Sequence, residues 1–477
     1  MAFAQKGAYT RDPSAAATAA AGQPAAPSAV TQRILEGAPL PLLLRMASPN
    51  AVAFLVQASV SVAEIGFVAR LGAVPLAGLA LMFPALMLMQ MLANGAMGGA
   101  VSSAVARALG AGDRARAEAL IWHALAIAVV AGLAFLLLYA LVGRSLIELF
   151  GASEAVTDAA AGYAAIIFGG AGLLWINGFA SSVFRGMGNM RFPAALMVLA
   201  AAVQVPLAGA LILGWLGAPA LGVQGAAVAV VAVSAISSVI LLARLAGANA
   251  GLRLRVGALR LRAALFADIL RVGGLAALSP LFVVATIMCI NGIVSGFGVA
   301  ALAGYGIVSR LEFLLTPMVF GIGAAMTSMV GINVGAGNVA RAERIAWVGG
   351  LLAAGLTGAV GVTLAIAPGL WLGFFTDDAA TWASGEAYLR IVGPLFAFQG
   401  LGLALYFASQ GAGTVAWPVL ATVLRFVVGV GGAALGVYVF EQNLTFVYGC
   451  MAAAMLLYGS LTAASVKLGA WRRSGSW

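Results

Sequence analysis

The sequence predicts an all-α integral membrane protein: twelve transmembrane helices in two six-helix lobes related by a pseudo-two-fold along the membrane normal. Three observations predict it. Of 477 residues, 63% are hydrophobic and only 8% are charged, whereas a globular domain is about 45–50% apolar and about 25% charged. Continuous apolar runs of about 20 residues, the helix length that spans roughly 30 Å of hydrocarbon, recur along the chain, in place of the shorter alternating segments of a barrel. Finally, three motifs recur in the same order. "LGAVPLAGLAL" (71–81) returns as "FGVAALAGYGI" (297–307), "GAGDRARAEAL" (110–120) as "GAGNVARAERI" (335–345), and "FRGMGNMRFP" (184–193) as "SQGAGTVAWP" (409–418), at offsets of 226, 225 and 225 residues. One offset for three collinear matches is the mark of an internal duplication.

Taken in order, residues 1–33 are rich in Ala, Pro, Ser, Gln and Thr. They cannot bury a core and predict a disordered cytoplasmic tail. They also lack the apolar centre of a cleaved signal, so the first span serves as its own insertion signal. Spans centre near residues 55, 90, 130, 170, 203 and 232 in an N-terminal lobe (34–246), and near 282, 318, 357, 398, 427 and 457 in a C-terminal lobe (263–470). Residues 247–262 carry Arg253, Arg255, Arg260 and Arg262 and read as a cytoplasmic linker, and 471–477 as a cytoplasmic tail. Six spans per lobe is an even number. The lobes therefore insert with the same orientation, as in transporters built of parallel repeats. Arginines follow the even-numbered spans (Arg107, Arg114, Arg116; Arg185, Arg191; Arg244; Arg341, Arg344), whereas Glu148, Glu154, Asp158, Asp377, Asp378 and Glu441 fall on the other side. The positive-inside rule then places both termini in the cytoplasm.

Composition also excludes functions. The net charge of +10 lies between apolar runs, with no basic face interleaved with aromatics, so nucleic acid is not an expected partner. A chain with one histidine, His123, and two cysteines inside apolar runs, Cys289 and Cys450, builds no familiar metal cluster or catalytic triad. "GAGDRARAE" lacks the Lys-Ser/Thr of a phosphate loop and follows a helix. No enzyme, metal or cofactor is expected. Two packed halves with a cavity between them suggest alternating access, and a monomer.

From residue 35 to 470 the sequence resembles the multidrug and toxic compound extrusion (MATE) transporters. The resemblance rests on "VARLG" and "LAGLAL", then "GAGDRARAE", "FRGMGNMRFP" and "LGVQGAAVAVVAVS" in the first half, and on "IVSRLE", "VGINVGAGNVARAE" and "SQGAG" with its later proline in the second. It implies two lobes forming a V in a bacterial inner membrane, and export of small organic cations driven by re-entry of H⁺ or Na⁺. A lipid-linked precursor flippase of the same superfamily is the alternative, which needs a cationic cavity and often extra spans.

Ionisable groups inside a membrane are costly and usually functional. Glu64, in "SVAEIGFVARLG", stands where the resemblance implies an aspartate, and a carboxylate in an apolar cleft suits reversible proton binding. Glu312 is either a second cation-coupling group or half of a buried ion pair. Arg310 and Glu312 are an i, i+2 pair and face different neighbours. Arg425, alone in span eleven, needs a partner, and Glu312 is the most economical one. Both arginines read as structural or gating residues. Where sodium-coupled relatives tend to show Asn-x-x-x-Asp, this chain has Gln204 and Ala208, and the acidic residue of some members in span ten falls near Gln399. Hard cations want several oxygen ligands, so H⁺ is favoured over Na⁺. Gln57, Asn177, Gln204 and Gln399 are the expected cavity residues. Pro49 and Pro84 can kink their helices and act as hinges. Arg185 and Arg191 bracket a turn closed by Pro193, where they mark the cytoplasmic side, pair with anionic membrane lipid, or clasp the opposite lobe. Met82, Met87, Met89, Met91 and Met97 crowd span two, as on a promiscuous surface or in a core.

Overall fold

The computed structural model describes residues 28–472 apart from 248–250, 256, 258 and 259. Among these, every regular element is a helix. A short amphipathic helix α1 (Ala29–Glu36) is followed by α2 (Pro39–Ala69), α3 (Ala73–Gly110), α4 (Arg114–Glu148), α5 (Glu154–Gly169), α6 (Ala171–Gly186), α7 (Arg191–Leu213) and α8 (Val223–Ala246). The second half comprises α9 (Ala263–Ser295), α10 (Val299–Gly335), α11 (Val339–Ile366), α12 (Ala379–Gly411), α13 (Ala416–Phe440) and α14 (Leu444–Lys467). Among the described residues, eleven helices are long and apolar enough to cross a membrane, and α5 with α6, bent by 50°, counts as a twelfth when the pair is one span. The bend lies at Gly170, which sits against the side chain of Val231 of α8.

The expected tails are partly ordered. Residues 1–27 and 473–477, which hold most of both, lie outside the described residues. From Ala29, however, the chain is helical: Ser28 caps α1 by accepting from the Thr31 N–H, and Ile34 is fully buried. The stabilising partner is tertiary, since Arg341 donates to the carbonyl of Ile34 at 3.2 Å. Composition alone could not reveal that. At the other end Trp471 is buried and Arg472 pairs with Glu343. Leu252 of the linker is buried in the core of the first half.

The duplication is visible in the backbone. Left-handed residues recur at the repeat offset: Gly72 and Gly298 (φ 106° and 103°), Gly112 and Gly337 (73° and 78°), Gly188 and Gly413 (78° and 76°). Each opens or closes a helix where a side chain would be strained. The two halves also meet through equivalent atoms. A Cβ on Gly110 would strike the Ile332 carbonyl, and one on Gly335 would strike the Arg107 carbonyl. Ser103 Oγ donates to the Gly411 carbonyl at 3.1 Å, and its counterpart Ser328 donates to the Gly186 carbonyl at 3.5 Å. Such self-complementary exchange is what a two-fold axis produces. It runs between the ends of α3 and α10, beside Ala106 and Gly331.

These contacts close the face that carries the termini. The helix ends there are lined with small residues, so backbones approach closely and polar side chains bond across. The outer part of α2 turns instead to its own half, where Phe67 meets Trp215 edge-on at 5.4 Å. The repeated "GAG..ARAE" motif serves the closure directly. Arg116 pairs with Asp268 at the start of α9 (2.8 Å), and its counterpart Arg341 donates to the carbonyls of Ile34 and Gly37 at the start of α2. Each half thus grips the entry helix of the other.

Candidate functional site

Each half encloses a cavity, and α3 is the wall between them. On one face of α3, Met89, Gln90, Ala93 and Asn94 line the first-half cavity. On the other, Met87, Met91, Gly95 and Ala96 line the second-half cavity. This stretch includes a π-helical segment, Met91–Met97, a feature common at functional sites because it frees backbone carbonyls. Gln410 of α12 takes two of them: its Nε2 donates to the carbonyls of Gly95 and Ala96, both at 3.1 Å. The methionine-rich span is thus divided. Met87 and Met91 reach the second-half cavity, Met89 lines the first-half cavity from within the buried core, and Met82 and Met97 belong to that core alone.

The first-half cavity, about 230 Å³, is walled by α2, α3, α5, α6, α7 and α8. Glu64 lies in the last two turns of α2, and Gln204 Nε2 of α7 donates to its Oε1 at 2.8 Å. Gln204 is nine-tenths buried, so this amide and carboxylate meet largely out of water. No guanidinium lies within ion-pair distance of Glu64 among the described residues. Gln57 and Asn177 line the same space, as do Asn50, Ser61 and Tyr163, which sequence reasoning missed. Tyr163 interrupts a run of small residues in "AAGYAA", and that lone aromatic was the available signal.

Arg185 corrects an expectation. Helix α6 runs to Gly186, so position 185 remains helical and faces inward, and the turn to the surface begins only at Met187. Arg185 is 8% exposed, lines the first-half cavity and donates to Ser182 Oγ at 2.7 Å. It is neither a surface marker nor a clasp on the opposite half. Its counterpart, Gln410, makes the inter-half tie. Arg191 is exposed.

The second-half cavity, about 190 Å³, is lined by Tyr305, Glu312, Gln399, Arg425 and Tyr458 among others. The expected pairing of Arg425 with Glu312 does not form. Arg425 Nη1 donates to Gln399 Oε1 at 2.7 Å and its guanidinium lies 5.5 Å from the Tyr458 ring centre. Glu312 accepts from the Tyr388 hydroxyl. A neutral amide and an aromatic face satisfy the cation, and a phenol satisfies the carboxylate, so neither requires the other. Arg310 is exposed, away from this cavity. Pro49 and Pro84 lie within continuous helices. The backbone irregularity of α3 begins at Met91, two turns beyond Pro84, and another follows Arg425 in α13, at Val427–Gly431.

Two carboxylates therefore occupy separate compartments on opposite sides of one helix, each held by a neutral hydrogen-bond donor. Such groups can exchange a proton or cation without first breaking an ion pair.

Comparison with known proteins agrees with this architecture. The family profile for MatE matches twice, over residues 49–209 and 276–435, the two halves of the duplication. A probable multidrug resistance protein NorM of Thermotoga maritima is 26% identical over 383 residues, covering 80% of this chain and 82% of its own. An FAD transporter of Shewanella oneidensis is 27% identical over 308 residues, covering 64% and 67%. Among solved structures, MATE in the straight conformation superposes with a TM-score of 0.86 at 23% identity, over 94% of this chain and 100% of that one. A MOP superfamily transporter from Pyrococcus furiosus gives 0.85 at 23% identity, over 94% and 99%. At that identity the likeness is one of fold.

Proposed function

Because the chain belongs to the MatE family of multi-pass membrane transporters, we propose that it exports small organic cations from a bacterial cytoplasm by alternating access, with inward H⁺ flow as the driving reaction. The observation that carries the proposal is Glu64: a carboxylate inside the first-half cavity whose one bonded partner among the described residues is the neutral amide of Gln204. In the ionised form it attracts an organic cation. On taking up a proton it no longer does, and Arg185 in the same cavity is left as an uncompensated positive charge. Proton binding thus changes the cavity from near neutral to cationic and expels a bound cation, which is the exchange an antiporter needs. Coulomb interactions in such a site are several-fold stronger than in water.

Proton coupling is favoured over sodium on the character of the group bonded to Glu64. Gln204 turns its donor rather than its oxygen toward the carboxylate, and Ala208 offers no ligand. A sodium ion wants several oxygens. We place the closed, terminal face in the cytoplasm, so the described state opens outward. The apolar and aromatic lining of the second-half cavity, with Phe320, Tyr406, Phe407 and Tyr458, suits the flat body of an amphiphile.

One observation favours a second reading. Each cavity holds an arginine, Arg185 or Arg425, with no carboxylate paired to it among the described residues. An organic anion, including a lipid-linked precursor, would find a partner there. Everted vesicles separate the readings: uptake of ethidium and not of a flavin nucleotide supports cation export, and the reverse supports an anion.

A further inference from the structure

A second, independent compartment lies on the terminal face, against the turn that contains "GMGNMR". Helix α1 folds back over this turn: Gly188, at φ 78°, lies against the side chains of Val30 and Ile34, with Met46 beside them. The cleft so formed, about 360 Å³, is lined by Val30, Ile34, Leu42 and Met46 on its floor and by three arginines, Arg33, Arg45 and Arg191. None of the three guanidinium groups has an ion-pair or hydrogen-bond partner among the described residues. They come from three separate helices, α1, α2 and α7. Three like charges converging on one cleft repel each other unless an anion joins them.

We propose that this cleft binds the phosphodiester headgroup of an anionic phospholipid. Guanidinium groups match phosphate oxygens in bidentate geometry, and arginines at the end of a spanning helix lie at headgroup depth. The apolar floor fits the glycerol and first methylenes. Below it α2 presents Leu40, Leu44 and Val52 outward, all exposed, along about 18 Å of helix at 1.5 Å per residue. That path suits an acyl chain and favours a lipid over a free anion. The second half lacks the counterpart, since Ala416 stands where Arg191 does. The site thus accounts for the charge carried by one copy of the repeated turn. It does not depend on which ion or substrate is transported.

The test is lipid retention in native mass spectrometry of the purified full chain in detergent, with no transport involved, so its failure leaves the transport reading untouched. Dioleoyl-phosphatidylglycerol is expected to be retained about tenfold more than dioleoyl-phosphatidylcholine. The triple variant Arg33→Gln, Arg45→Gln, Arg191→Gln should erase that preference while still binding phosphatidylcholine and eluting as wild type. Arg260→Gln, Arg262→Gln, Arg271→Gln, which removes the same charge from the same face, should keep it. The proposal is overturned if the first triple variant retains the preference, if both lose it equally, or if millimolar inorganic phosphate displaces the lipid, which would make this a free-anion site.

Discussion

Gln204 donates to Glu64 across 2.8 Å, joining α7 to α2 inside the first-half cavity. The bond survives either protonation state of the carboxyl, because an amide N–H can donate to a carboxylate or to the carbonyl of the acid. Gln204 therefore positions Glu64 without fixing its charge. Glu64→Gln keeps the shape and removes the charge change. Proton-driven transport by this variant is expected to fall at least about tenfold, the loss of one charge-assisted contact of roughly 1.5 kcal/mol. Unchanged uptake in everted vesicles would remove Glu64 from the coupling step.

Arg185 shares that cavity. In the wild type, protonated Glu64 leaves a net positive cavity; in Arg185→Gln it leaves a neutral one. Two unit charges about 10 Å apart at an effective dielectric of about 20 interact by roughly 1.7 kcal/mol, or more than tenfold in affinity. The variant should bind an organic cation more tightly than wild type at both acidic and alkaline pH, because the Arg185 repulsion is removed whatever the charge on Glu64. Binding titrations at the two pH values check this, and a weaker acid-pH affinity contradicts it.

The Gly110–Ile332 and Gly335–Arg107 contacts are equivalent by the pseudo-two-fold. Gly110→Ala and Gly335→Ala should therefore destabilise the closed terminal face similarly, each by about 1–3 kcal/mol of overpacking. Gly337→Ala meets no neighbour and should cost about 1 kcal/mol through its left-handed φ. Thermal unfolding in detergent distinguishes them.

Asp268 receives Arg107 at 2.6 Å and Arg116 at 2.8 Å, and is 8% exposed. Removing one partner of a buried pair costs about 3 kcal/mol. Asp268→Asn should accordingly shift the population away from the closed terminal face. Spin labels on exposed positions Arg114 and Arg271 would report longer distances in the variant, and an unchanged distribution would show that the pair is not a latch.

The spans and the duplication were legible because both depend on local composition and on order along the chain. Each expected centre falls inside a helix or, near residue 170, at the bend between α5 and α6. Glu64, Gln57, Asn177 and Gln204 were legible as a group because polar residues are rare in apolar helices, and the structure brings them to one cavity. Gln399 and Glu312 share the other cavity. What failed was choice of partner. Charge alone makes Glu312 the economical partner of Arg425, but the amide of Gln399 and the ring of Tyr458 are within reach and periodicity does not report them. Arg185 failed for a different reason: one further turn of α6 carries it from surface to interior, and a helix end read from sequence is uncertain by about that much. The ordered α1 escaped notice because its stability comes from Arg341, about 300 residues away.

Coupling at Glu64 is tested most directly by ethidium uptake into everted vesicles with H⁺ and Na⁺ gradients imposed separately, in wild type and in Glu64→Gln. Uptake driven by an acidic lumen alone, unaffected by sodium and lost in the variant, is the expected result. Uptake driven by a sodium gradient at constant pH, or proton-driven uptake that persists in Glu64→Gln, would contradict it.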